Sequence, residues 1–420
     1  MGHHTNPDRE YRLLQQKLDR TPTGAPDSPV LMQILKMLFR PAEAELAVRI
    51  PGKPTSLESL SHKTGVPAEE LSKRLSELAE RGLMLDFERK GRRYFMLPPI
   101  VIGLFEFTYM RTRDDVPLAD LAKLFDQYMH QDDKFARSVF QGQTQIGRTL
   151  VQEDALPEDD HSEILDWERA SRLIQDATAV GVSMCACRHK AHHLGRACDA
   201  PVDVCLSLNG GAVALARSGN VKLISQSEGM RILERCKEAG LVQVGDNVQK
   251  QVAYMCNCCR CCCGMLDAIR HFDIRNAVVT SNWLMHVDND KCKGCGKCVS
   301  ACPIDAISMT DAKPRKAAID NGLCLGCGVC YSTCKFDALH MKARAQRTIT
   351  PEDAFGRIIT MAIERGKLAD LIFDDPENLG YRALGRVISA LEKTPPARAL
   401  MAIQPLKSAF LNALLKKASH

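Results

Sequence analysis

No stretch of this chain reaches 18 consecutive apolar residues, so no membrane-spanning helix is expected. The opening MGHHTNPDRE has neither the apolar core of a secretion signal nor a twin-arginine pair. Asn6 breaks the myristoylation pattern. These absences predict a cytoplasmic location, where thiols stay reduced. Nucleotide and haem motifs are missing too. No G-x-G-x-x-G follows a strand, and there is neither a Walker A sequence nor a C-x-x-C-H. The LNGG at 208–211 lacks the dinucleotide spacing and reads as a turn. Charge of one sign is also lacking. The net charge of +5 is too mild to point to nucleic acid by itself.

Cysteine, by contrast, is abundant: 19 in 420 residues, a length that suits two to four domains. In a reducing compartment that number argues for metal ligation rather than a disulfide framework. Local geometry agrees. Adjacent Cα atoms sit about 3.8 Å apart, below the usual disulfide span of roughly 4.4–6.8 Å. Cys258–Cys259, Cys261–Cys262 and Cys262–Cys263 therefore cannot bridge without strain.

The most specific pattern is a duplicated one. KCKGCGKCVSACPIDAISM aligns with LCLGCGVCYSTCKFDALHM at an offset of 32 residues. Each copy has C-x2-C-x2-C-x3-C spacing, the two-cluster bacterial ferredoxin pattern, in which the fourth cysteine ligates the other cluster. Cys292, Cys295, Cys298 and Cys334 are thus expected to hold one [4Fe–4S] cluster. Cys324, Cys327, Cys330 and Cys302 are expected to hold the second. Gly294, Gly296, Gly326 and Gly328 let the backbone curl around the cofactor. Two zinc knots or plain buried cysteines are the competing readings, and a repeat of two four-cysteine runs fits them poorly. Lys335 stands where a second proline would be usual. Lys291, Lys293, Lys297 and Lys335 flank the ligands and offer docking to an acidic redox partner.

Ten more cysteines lie upstream: Cys185, Cys187, Cys198 and Cys205, then Cys256, Cys258, Cys259, Cys261, Cys262 and Cys263. One four-thiolate cluster uses four and two use eight, so counting leaves their assignment open. If the run from 256 to 263 were extended, Cys256, Cys258 and Cys262 would share one side, and Cys259, Cys261 and Cys263 the other. At least one further iron–sulfur cluster leads over structural zinc and unmetallated thiols. His189, His192 and His193 read as surface histidines. Arg188 and Arg196 are candidates to neutralise an anionic centre. Cys236 falls on the apolar face of a helix, with Ile232 and Leu233, and reads as a core residue.

The expected architecture is α+β and multidomain. Residues 1–29 form an arm and linker. Residues 30–110 read as a winged helix, with VLMQILKMLF, SLESLSHKTG and VPAEELSKRLSELAERG as helices and LMLDFERKGRRYFML as two strands around a Lys-Gly turn. Residues 111–286 form a helical, cysteine-rich α/β domain, in which LDWERASRLIQDA and SQSEGMRILERCKEAGL are helices and AVGVSM a strand. Residues 287–343 form the two-cluster module. Residues 344–420 are helical, with Phe355, Ile358, Ile359, Ala362 and Ile363 on one face, and end in a basic amphipathic tail for which contact with a membrane surface is the lesser reading.

The chain resembles the winged-helix, 4Fe–4S dicluster ferredoxin-like proteins of anaerobic bacteria and archaea. The resemblance covers nearly the whole chain. It rests on YRLLQQKLDR, the winged-helix segment, CACR…C…C, GLVQVGDN, CNCCRCCC and the tandem repeat. It implies electron transfer together with extra cysteine-rich metal binding. A ferredoxin-like relay serving an anaerobic oxidoreductase, with donor and acceptor proteins as partners, is the leading expectation. A redox-sensing winged-helix regulator is the first alternative. Against it, the recognition helix carries Glu69, Glu70, Glu77 and Glu80 against Lys73, Arg74 and Arg81, although the wing is basic at Arg89, Lys90, Arg92 and Arg93. An enzyme acting at an open upstream cluster is the second alternative.

Overall fold

The computed structural model describes residues 8–156 and 165–372. The chain opens with α1 (Arg9–Asp19), whose Leu14 and Leu18 are fully buried. α2 (Pro29–Leu38) starts where the Ser28 hydroxyl accepts from the Val30 amide and Pro29 sets the first helical φ. α3 (Pro41–Arg49) was not read from the sequence. β1 (Thr55–Ser56), α4 (Leu57–Thr64), α5 (Ala68–Glu80), β2 (Leu85–Arg89) and β3 (Arg92–Met96) follow. The three strands form an antiparallel sheet in the order β1-β3-β2. Lys90 and Gly91 join β2 to β3 with φ of 52° and 73°, the two left-handed residues that a two-residue hairpin needs.

The middle of the chain runs through α6 (Phe105–Tyr109), α7 (Leu118–His130), α8 (Lys134–Phe140), β4 (Gly147–Thr149) and α9 (Ala170–Gln175). It continues with β5 (Val180–Met184), α10 (Ala186–His193), β6 (Asp203–Leu208), α11 (Asn209–Arg217), β7 (Lys222–Ile224) and α12 (Gln226–Glu238). β8 (Val242–Asp246), β9 (Tyr254–Cys258) and α13 (Gly264–Phe272) complete it. Its six strands make one sheet in the order β4-β8-β9-β6-β5-β7.

Every neighbouring pair in this sheet is antiparallel, so the α/β character expected for 111–286 is corrected to α+β. The helices return the chain beside antiparallel strands rather than carrying it over to parallel ones. LNGG is not a turn: Asn209, at φ 52°, begins α11. LDWERASRLIQDA splits into a 3-10 turn, Asp166–Glu168, and the short α9.

The last part holds β10 (Trp283–Val287), α14 (Lys297–Ala301), β11 (Ile307–Met309), β12 (Ala317–Ile319), β13 (Leu339–Ala343), α15 (Ala354–Glu364) and α16 (Leu368–Ile372). β10 pairs antiparallel with β13, and β11 with β12. Ile359 and Ala362 of α15 are buried, whereas Phe355 on the expected apolar face is 53% exposed. The amphipathic tail lies outside the described residues.

One apolar core runs from Leu14, Leu31 and Phe125 to Trp283 and Met341. A second, around Ile174, Leu206, Leu233 and Cys236, packs against the large sheet. The two ends of the described chain meet. Arg365 donates to the Pro22 carbonyl at 3.0 Å, and Lys367 donates to those of Asp19 and Thr21 at 2.5 and 3.0 Å. Among the described residues no helix is long and apolar enough to cross a membrane.

Candidate metal centres

The repeat seen in the sequence is also a repeat of geometry. Cys302 Sγ accepts the Ala306 amide at 3.2 Å, and 32 residues later Cys334 Sγ accepts the Ala338 amide at 3.5 Å. Asp305 and Asp337 take the same left-handed turn, at φ 61° and 49°. Cys334 thereby reaches across to the first copy. A cavity of about 20 Å³ is lined by Cys292, Cys295, Cys298 and Cys334, with Val287 and Leu339 beside them. The reciprocal set also converges, since Cys302 lies close enough to Cys324, Cys327 and Cys330 to raise the thiol pKa of the last two. Burial is the larger cause for both, and it pushes Cys327 up to about 12.

The surroundings of the two sets differ. Cys295 is exposed, beside the exposed Lys293 and Lys297, while Cys302, Cys324, Cys327 and Cys330 are buried. Lys291 pairs with Asp337 at 2.6 Å, and Lys316 donates to the Cys292 carbonyl at 2.6 Å. Gly326 sits at φ 70°, and a Cβ there would meet the Trp283 carbonyl oxygen at 2.1 Å. Backbone packs where a side chain would stand. Eight convergent thiols, N–H···S bonds and nearby cations suit iron–sulfur clusters, which bind through thiolate and carry net negative charge.

The upstream ten cysteines are gathered by the large sheet. β5 leads into Cys185, which precedes α10 with its Cys187 and Arg188. Cys205 on β6 stands one residue beyond the Leu206–Met255 pair and so opposite Cys256 of β9. The strand pairing ends at Cys258, opposite Val242. The chain then turns, and Cys263 precedes the first residue of α13.

The extended alternation expected for 256–263 is therefore corrected. Cys263, not Cys262, joins Cys256 and Cys258, because the ladder stops at Cys258. Cys187, Cys263, Cys258, Cys256 and Cys205 form a chain of thiols within hydrogen-bonding reach. Cys256 is held down at about 5 because Cys205 and Cys258 donate to it. These five thiols and Glu106 help line a cavity of about 740 Å³. Burial pushes the Glu106 carboxyl up to about 8.

A second set lies beside the first. Cys198 joins Cys259, Cys261 and Cys262, and the four Sγ atoms all lie within 4.8 Å of one another. Cys259 is held down at about 5, first by donation from Cys262 and then by Arg188. Cys185 is half-buried between the sets, where it senses both Cys256 and Cys259.

The histidines are corrected in part. His189 is buried, its Nδ1 2.8 Å from the Tyr109 carbonyl oxygen, and His193 Nε2 lies 3.2 Å from His189 Nε2. Arg196 is engaged by Asp126, which also pairs with Lys190 at 2.9 Å and His130 at 3.2 Å. Cys236 is fully buried beside Ile232 and Leu233, as read from the sequence.

One residue missed by sequence reading ties the upstream run to the module. Arg260, between Cys259 and Cys261, donates to the Cys302 carbonyl at 2.9 Å and pairs with Asp305. Arg270 of α13 reaches the same carboxylate at 3.1 Å. Only a charge inside a cysteine run and another just past a ligand, 45 residues apart, could have signalled it.

Residues 291–338 match the model of the 4Fe-4S dicluster domain. No curated protein matches the chain. No solved structure matches it either. The chain thus carries a 4Fe–4S cluster-binding domain and is an iron–sulfur protein.

Proposed function

We propose that this chain is a ferredoxin-like electron relay that serves an anaerobic oxidoreductase through partner proteins. Cys292, Cys295, Cys298 and Cys334 hold one [4Fe–4S] cluster, and Cys324, Cys327, Cys330 and Cys302 hold the other. At least one further iron–sulfur centre draws on the upstream cysteines. Bound clusters of this kind take up and release single electrons. The reading is carried by one observation: Cys334 lines the same small cavity as Cys292, Cys295 and Cys298, the crossover that a two-cluster module requires.

The remaining residues supply direction. Exposed Cys295, with Lys293, Lys297 and Lys335 exposed nearby, forms the outer end, suited to an acidic partner. The buried Cys302 set forms the inner end, and Arg260 bonds it to the loop of Cys259 and Cys261. Backbone amides of Ala306 and Ala338 donate to the Cys302 and Cys334 sulfurs and hold them in place.

We read the five parts with the boundaries 29/30, 110/111, 286/287 and 343/344 as the working division, and the cytoplasm as the setting. The helices and sheet of 30–110 fit a winged helix used as scaffold. Its Arg93 is spent on Asp86, Ser72 and Ser76, and its Glu88 pairs with Arg217 of α11 at 2.9 Å. Gel-shift assays of the cluster-loaded protein at moderate salt are expected to give no sequence-specific complex.

Iron and acid-labile sulfide analysis after oxygen-free purification tests the main reading. More than eight iron per chain is expected, eight from the module and the rest from upstream. A colourless preparation, or zinc in the eight module positions, would overturn it. A second reading, an enzyme acting at an open upstream centre, is favoured by the cavity of about 740 Å³ beside Cys256 and Cys263. Cyanide added to the reduced protein tests it. A changed electron paramagnetic resonance signal supports an open position, and an unchanged one removes it.

A further inference from the structure

The two upstream sets are built to different scales. Cys261 Sγ lies 3.4 Å from Cys262 Sγ and 3.8 Å from Cys259 Sγ, and Cys198 closes the group within 4.8 Å. Four sulfurs about 2.3 Å from one tetrahedral ion stand about 3.8 Å from each other. A cubane's thiolates cap four different irons and must stand farther apart. The molecule contains its own comparison. Among the described residues, the eight module cysteines, which match a cluster-binding domain, form no group this tight.

A second observation is independent of the spacing. Arg188 is fully buried. Its guanidinium donates to the carbonyls of Pro201 and Asn257, the latter at 3.0 Å, and its Nε has no hydrogen-bond partner. Among the described residues it forms no ion pair with a carboxylate, and both of its hydrogen bonds go to carbonyls. A buried cation requires a compensating anion. Here the groups within reach are the cysteine sulfurs, which become anionic when they bind a metal ion. Four thiolates around one divalent ion carry two net negative charges, and Arg188 offsets one of them.

We propose that Cys198, Cys259, Cys261 and Cys262 hold a single zinc ion in a closed tetrathiolate site, separate from any iron–sulfur centre. The site staples the loop after α10 to the loop after β9 and fixes the register of the strands between them. It leaves Cys185, Cys187, Cys205, Cys256, Cys258 and Cys263 for the iron–sulfur chemistry around the large cavity. Zinc suits this set because it takes four thiolates tetrahedrally and needs no open position. The inference rests on the upstream cysteines binding metal, not on the direction of electron flow.

Elemental analysis and zinc-edge X-ray absorption of the full chain, purified without oxygen, test it. About one zinc per chain is expected, with four sulfurs at about 2.3 Å. C198S and C261S should each take zinc to near zero while iron and sulfide stay at the wild-type level, and C236S should change neither. Nitrogen or oxygen in the zinc shell of the wild-type protein would overturn the inference without relying on any variant. Absent zinc with more than eight iron would overturn it while leaving the upstream iron–sulfur centre standing. Absent zinc with only eight iron would remove both. A fall of about four iron in C261S would assign these thiols to a cluster instead.

Discussion

Cysteine has two roles in this chain, and single residues separate them. Cys236 packs among Ile232, Leu233 and the sheet with no exposure at all. Cys236→Ala should cost about 1–2 kcal/mol of stability through the small cavity left behind, with iron and zinc unchanged. Denaturant melts and metal analysis of the same samples check this. His130 makes a second residue-scale prediction. Its pKa is raised to about 9, chiefly by its hydrogen bond to Asp126 and then by Asp267, against the opposing effect of burial. A group whose folded pKa is raised stabilises fully below its ordinary value of 6.5 and loses that contribution as pH climbs through about 9. Wild type should therefore exceed His130→Gln by about 1–2 kcal/mol at pH 6, and by little at pH 10. Urea melts at the two pH values read the difference, and an equal gap at both would contradict it.

At the scale of elements, the module loops depend on close approach as well as on turning. Gly326 and Gly296 share a left-handed φ, but a Cβ at 326 would strike the Trp283 carbonyl whereas 296 faces open space. Gly326→Ala should lose about four iron per chain, and Gly296→Ala should keep its iron at a cost of about 1 kcal/mol. Iron analysis distinguishes the two. That contrast also shows where sequence reading stops. The convergence of the eight module cysteines was legible because their spacing is local and duplicated. So were α2, α4, α5 and the β2–β3 hairpin, each marked by a cap, a stop or a turn pair in its own residues. α3 was missed because Pro41 follows closely on α2 and its nine residues carry a short apolar face. The split of the upstream ten was not legible, because it depends on where the ladder of β8 and β9 ends and on Cys198 arriving from a separate loop. Antiparallel order in the six-stranded sheet joins segments as distant as Gly147–Thr149 and Val242–Asp246, and no local pattern encodes that.

For the whole molecule, the decisive joint is Arg260, which fastens the upstream loop to the module through Cys302 and Asp305. Arg260→Gln removes a cation beside the inner cluster. Its reduction potential should fall by roughly 20–40 mV, the one-electron equivalent of an exposed charge pair worth about 0.5–1 kcal/mol. Redox titration followed by electron paramagnetic resonance measures it, and an unchanged potential would show the arginine to be only a mechanical tie. The clasp of Arg365 and Lys367 on residues 19–22 sets a calendar for biosynthesis. A ribosome releases the arm first and its anchor after every cysteine has been made. Until then the carbonyls of Asp19, Thr21 and Pro22 lack these two cations. A nascent chain that has not yet reached residue 365 therefore already holds all of its cysteines while this latch is still open.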